Sequence, residues 1–388
     1  MTKRASVLIV GGGVVGASVA YHLAERGVRG VVVLDRGAGP GNGSTSRATG
    51  GFRAQFTTKV NVGLSLLARE KLRAFREEIG ADPGYDEFGY LWIASNERSI
   101  RSLRDALAVQ RSAGLSEALE IDVDAVMQLN PAVPREGIVG ATWCPTDGFI
   151  RPMEILRGYL GAAERLGAII EWGVEVNEIV LNKSGRAYSA KTSAGDIELD
   201  AIVNAAGAWA GVLGCGTHNR VPVVPLKRHV ALSVPTDILP ANMPMTIFVE
   251  DGFHIRVRDG RVMIIKPTPV PEGDPFDMTL DDACIESFRA EAAMRVPRLA
   301  NLAIDHSACY AGLYEMSPDN HAILGVAPWC ENLFLANGSS GHGVMHSPAL
   351  GQLLSEIICD GVASSLDVSA LRPTRFSERA SNPRSELI

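Results

Sequence analysis

Residues 6–10 (SVLIV) form a short apolar, β-branched run bounded by glycines, which predicts a buried strand. A helix is expected after it, to about Arg26. Ala17, Ala20 and Ala24 are small enough for close packing on a sheet, and Gly27 supplies the C-terminal stop. A second strand at 31–34 ends in Asp35. Leu64, Leu67, Leu72, Phe75 and Ile79 share one side of a helix predicted over 62–79, and another is predicted over 100–113. Alternation at 252–257 predicts a strand with His254 and Arg256 on one face, Phe253 and Ile255 on the other. An apolar strand at 332–336 is followed by a glycine-rich loop and an amphipathic helix through Leu350, Leu353, Leu354 and Ile357. The four prolines within 267–277 require a loop or sheet edge, and 379–388 reads as a polar, mobile tail. No internal repeat of solenoid period is present.

Between the first strand and its helix, Gly11, Gly13 and Gly16 match G-x-G-x-x-G. The first glycine allows a tight turn, the second lets backbone N–H groups approach a pyrophosphate, and the third seats the helix. With Val14 and Val15 opening that helix, its positive end faces the phosphates. Asp35 stands 24 residues after Gly11, where an acid hydrogen-bonds an adenosine ribose, with Arg36 beside it. The complete strand–turn–helix–strand–acid unit predicts dinucleotide binding; the plainer alternative is a βαβ unit without a ligand.

A NAD-binding half would continue directly into another helix. Here a polar loop follows at 41–56 (GNGSTSRATGGFRAQF). Ser44, Thr45, Ser46 and Thr49 are candidate phosphate donors, Arg47 a phosphate or surface residue, and Gly50 and Gly51 candidate cofactor contacts. Phe52 and Phe56 flank Arg53 and predict partial burial rather than a solvated loop.

The chain has 388 residues, long enough for two to three domains at ~150 residues each. Its 46% hydrophobic and 21% charged residues are those of an ordered globular protein, and its net charge of −7 argues against nucleic-acid binding. The longest uncharged apolar stretch, 5–21, is broken by Gly11, Gly12, Gly13 and Gly16, so neither a spanning helix nor a signal peptide is expected. Six scattered cysteines without a C-x-x-C pair read as reduced, buried thiols of a cytoplasmic protein. His342 and His346, at i,i+4, have no acidic partner nearby, so no metal site is expected.

Four later segments, taken with the first, resemble the glycine oxidase, sarcosine oxidase and D-amino-acid oxidase superfamily of FAD-dependent amine oxidoreductases. Residues 173–177 (GVEVN) resemble the strand whose backbone meets the adenine, through Val176. Residues 203–210 (VNAAGAWA) resemble the turn beside the dinucleotide, with Ala205, Ala206, Gly207 and Trp209. Residues 312–319 (GLYEMSPD) resemble the segment along the flavin, with Gly312. Residues 338–347 (GSSGHGVMHS) resemble the closing flavin loop, with Gly338, Gly341, His342, Gly343, Val344 and Met345. A helix start there would favour the anionic reduced flavin.

The resemblance implies an α/β fold in which a Rossmann-like FAD-binding domain of glutathione-reductase type (1–85, 148–225 and 321–388) interleaves with a substrate domain. That second domain (86–147 and 226–320) is built on a mainly antiparallel sheet with helices. It also implies hydride removal from the carbon next to the nitrogen of a small amino or N-alkylamino acid, giving an imine. Arg53 would hold the substrate carboxylate bidentately. His254 falls where relatives place a pocket tyrosine and could take a proton from the ammonium. Tyr314 lies near the substrate.

Three departures qualify this. Gly312 stands where covalent-flavin relatives have a cysteine, so FAD is expected to be non-covalent. Met345 stands where the relatives have a lysine that is a second carboxylate partner, so carboxylate binding is expected to be weaker or shared differently. An oxygen-activating lysine aligns near Val262, with Lys266 displaced by four, which leaves the electron acceptor open between O2 and another protein. The alternatives are a 2-hydroxy-acid or glycerol-3-phosphate type flavoenzyme, a flavin-bearing subunit of a larger dehydrogenase complex, and a NAD-binding dehydrogenase. Homo- or hetero-oligomeric assembly stays open.

Overall fold

The computed structural model describes residues 3–215, 220–269 and 273–384. The elements that frame the site are numbered in chain order: β1 (Arg4–Val10), α1 (Val14–Glu25), β2 (Val31–Asp35), α2 (Lys59–Ile79), β3 (Tyr90–Ala94), β4 (Ile197–Asn204), β5 (Val224–Leu232), β6 (Met245–Phe248), β7 (His254–Arg258), β8 (Arg261–Ile265), α3 (Asp282–Arg295), β9 (Tyr310–Met316), β10 (Cys330–Asn337) and α4 (Gly343–Asp360).

The Val- and Ile-rich runs form the parallel centre of a nine-stranded mixed sheet, in which β1 pairs with β2 (Val7 opposite Val31) and with β4 (Val7 opposite Ala201), and β4 with β10 (Ile202 opposite Leu333). Helices bury one face through Ile9, Val31 and Val33, and strands the other, where Leu8, Val32 and Leu34 pack with Ile179 and Ala190, hence the near-continuous apolar strands. α1 is buried from Val14 to Ala24, on every side. It crosses α4 so closely that a Cβ on Gly351 would lie 2.7 Å from the Ser18 backbone carbonyl carbon.

The second sheet runs β9-β5-β8-β7-β6-β3, continued by Gly140–Cys144 and Leu119–Ile121, with β6 and β3 its one parallel pair. Its alternation divides two environments. Phe253, Ile255, Val257, Val262 and Ile264 pack with Ile285 and Phe288 of α3. On the opposite face, Arg228, Val230, His254, Arg256 and Ile265 turn toward the first sheet.

Three expectations shift. The helix predicted from 100 begins at Glu97, because the Asn96 side chain accepts the Ser99 N–H and caps it. The tail is held rather than mobile as far as it is described. Asn382 donates its backbone and side-chain N–H groups to Asp319 (3.0 and 3.1 Å), which also pairs with the fully buried Arg375. Residues 385–388, and 270–272 of the proline-rich loop, lie outside the described residues. Finally, all six cysteines are free, but Cys359 is exposed and Cys284 half-buried. No helix among the described residues is long and apolar enough to cross a membrane.

Candidate active site

A cavity of about 390 Å³ lies between the two sheets. Asp35, Trp172 and Val176 line one end, Gly11–Val14 and Thr45 the middle, and Arg228, Tyr314 and Gly341 the other. The two chain regions that carry the glycine motifs therefore open on one space. All of the expected cofactor residues line it except Gly16, Ser46, Gly338 and His342. Gly16 works by packing, since a side chain there would collide with the Gly11 carbonyl. Ser46 donates to the Gly41 carbonyl at 2.5 Å, Gly338 backs onto Ser317 and Ile323, and His342 turns away toward Arg53.

Local hydrogen bonds redistribute the donors expected of the polar loop. Ser44 donates to the Leu313 carbonyl at 2.7 Å, which ties the loop to β9. Thr45 accepts the Val14 N–H at 3.2 Å, at the start of α1, and its own proton stays available to a phosphate. Thr49 and Gly50 accept, through their carbonyls, from the buried Arg256 (2.9 and 3.1 Å), whose guanidinium also stacks on Phe149. Asp35 accepts the N–H of Gly12 and of Gly37, both at 2.7 Å, so it shapes the glycine turn as well as facing the cavity. Arg36 stacks on Trp209 at 4.2 Å, and Trp209 stacks on Phe276.

Arg53 is 4% exposed. It donates to the Gln55 carbonyl (2.8 Å) and to His342 Nε2 (3.2 Å), and lies over the rings of Phe56 and Trp92. Burial lowers its pKa to about 10, opposed by Tyr90, Asp147 and Tyr314. It does not reach the cavity lining, and neither does His254; Tyr314, which does, lies within the electrostatic reach of Arg53. His254 Nδ1 meets the Gly252 carbonyl at 2.7 Å, so Nδ1 carries the proton and Nε2 is the acceptor. Burial, helped by Arg53, lowers its pKa to about 4. The Tyr314 ring rests where a side chain on Gly341 would stand, and burial raises its phenol pKa.

Sequence reasoning passed over three residues here. Asp147 is fully buried and accepts the Ala54 N–H (2.7 Å) and the Gln55 amide (3.1 Å), fixing the backbone that carries Arg53. Glu315 lines the cavity, and Arg228 supplies a cation on its wall. Glu315 lies inside the 312–319 segment, whereas Arg228 stands in a Lys-Arg-His run that no motif covers. Lys266 is tied to Glu291 (2.7 Å) and Asp251 (3.3 Å), on the sheet face that packs on α3. His346 bonds Ser65 at 2.8 Å, and the described residues hold no cluster of three metal-ligating side chains.

FAD fits this space. A Cβ on Gly11 would strike the Ala205 carbonyl, so the turn is already as close as backbone allows; its Gly11, Gly12 and Val14 N–H groups donate to Leu34, Asp35 and Thr45, and that of Gly13 is left for a phosphate. At the other end Glu315, which lines the cavity, has Oε2 buried without a hydrogen-bond partner among the described residues, as expected of a wall that meets a polar ring.

The family model "FAD dependent oxidoreductase" (DAO) matches residues 6–357. Glycine oxidase of Geobacillus kaustophilus is 29% identical, over 92% of this chain and 94% of that protein. FAD-dependent oxidoreductase domain-containing protein 1 of Xenopus laevis is 28% identical, over 96% and 83%. The crystal structure of L-proline dehydrogenase from P. horikoshii superposes with a TM-score of 0.90 at 25% identity, covering 98% of this chain and 100% of that one. A single cavity joining the phosphate cradle to the start of α4, in a chain that matches this family from its first strand into its last helix, makes the protein an FAD-dependent oxidoreductase of the DAO family.

Proposed function

We propose that the protein oxidises the C–N bond of a small amino or N-alkylamino acid, of the sarcosine, glycine, proline or D-amino-acid type. FAD, held without a covalent link, supplies the two-electron acceptor for the hydride leaving the carbon beside nitrogen, and the imine left behind hydrolyses. The observation that carries this is the buried cation of Arg53 just behind the cavity wall, donating to His342 between the lining residues Gly341 and Gly343. Arg53 holds the substrate carboxylate, Asp147 keeps the loop under it rigid, and Tyr314 closes the wall. His254 Nε2 accepts a proton or hydrogen bond from the substrate nitrogen, which needs its lone pair to form the imine. The relatives named glycine oxidase and L-proline dehydrogenase support the amine class over the 2-hydroxy-acid alternative.

Arg53→Lys is the direct test. Loss of the planar fork is expected to raise KM for acid substrates by roughly tenfold to a hundredfold, the worth of a charge-assisted hydrogen bond. An unchanged KM would remove the anchor.

A further inference from the structure

Arg228 projects from β5 beside Gly312, its cross-strand neighbour on β9, and lines the cavity. Its Nη1 donates to the carbonyls of Thr268 (2.9 Å) and Lys227 (3.4 Å), and its guanidinium stands 5.9 Å from the Tyr314 ring centre. No carboxylate of the described residues forms an ion pair with it, and its Nε and Nη2 make no hydrogen bond with them. Burial disfavours its charge, opposed by Tyr314. Elsewhere on this face the buried Arg256 has both its Nη1 donations and its ring contact filled by Thr49, Gly50 and Phe149. A half-buried guanidinium facing a cavity with an open edge is a site for an anion.

Arg228 and Arg53 do not converge. Arg53 lies over Trp92 of β3, whereas Arg228 stands on β5, and β8, β7 and β6 intervene. Four strand spacings put those backbones roughly 19 Å apart along the sheet before its curvature is counted. Both cations act on Tyr314, from different sides of the sheet's curve. Resting on the amine-oxidation reading above, we infer that Arg228 binds a second acidic group of the substrate, so that the preferred substrate is an amino acid carrying a further carboxylate on the other arm of its nitrogen or side chain.

The test compares sarcosine with the diacid series iminodiacetate, N-(2-carboxyethyl)glycine and N-(3-carboxypropyl)glycine on the FAD-loaded chain. KM comes from turnover. Kd comes from perturbation of the flavin spectrum by the non-oxidisable pair (methylthio)acetate and thiodiglycolate. At least one diacid is expected to bind tighter than its monoacid, and Arg228→Gln to shrink that preference by roughly tenfold to a hundredfold, with Arg228→Lys recovering part of it. Equal affinity for monoacids and diacids in the unaltered protein overturns the inference and leaves amine oxidation standing. Loss of bound FAD in Arg228→Gln also overturns it, by assigning the cation to the cofactor. Failure of all amines to bleach the flavin overturns the amine reading itself, and this inference with it.

Discussion

At position 312 the Cβ of any other residue would come 2.9 Å from Arg47 Cβ, a stem atom that cannot swing aside. The glycine therefore makes room for Arg47, whose head holds the Asn42 and Gly43 carbonyls of the polar loop. Gly312→Ala is expected to displace that loop, cost about 1–3 kcal/mol of stability and weaken FAD retention on dialysis; a variant that keeps its flavin would contradict this. The sequence made Gly312 legible as a departure from a cysteine, but not the reason for it. The same limit applies to Ser44, Ser46 and Asp35. Their chemistry pointed at a ligand, and each has a backbone partner in the protein that no spacing rule reveals. Arg53 and Phe56 were legible as buried because apolar residues flank the arginine.

The parallel sheet and its helices were readable because both faces are apolar and each turn carries a glycine. β5 was harder. Pro225, Lys227, Arg228 and His229 break its alternation, since one face meets a polar cavity and the other holds the ion pair of Lys227 with Asp277. The crossing of α1 on α4 was also hidden, because it depends on one missing side chain at Gly351. Alanine there would gain about 1 kcal/mol of helix propensity, yet overpacking against Ser18 costs about 1–3 kcal/mol. Gly351→Ala should therefore lower Tm by a few degrees. A rise in Tm would mean the helices stand further apart.

Over the whole molecule, buried neutral histidines dominate the pH response. Burial lowers His22 and His254 to about 4 and His346 to about 3, all from 6.5. A depressed histidine binds its proton in the unfolded chain first, so its stabilisation is complete above pH 6.5 and is lost as pH falls toward 4. At pH 5 each such group costs about 2 kcal/mol relative to pH 7. Asp147 acts oppositely. Burial raises its pKa to about 6, so acidification to pH 5 returns about 1 kcal/mol. The histidines win by number, and the denaturant midpoint should fall steadily from pH 7 to pH 5. A flat or rising midpoint would show that these rings ionise in the folded state.

The claim that FAD and an amine substrate meet in the cavity between the sheets is tested most directly by anaerobic titration of the purified, FAD-loaded protein. The expected result is a yellow protein whose flavin absorption bleaches with an amino or N-alkylamino acid and not with the matching 2-hydroxy acid, while the bleaching of Arg53→Lys requires higher substrate concentrations. A protein that takes up no FAD, or whose flavin is reduced by the hydroxy acid and not by the amine, would contradict it.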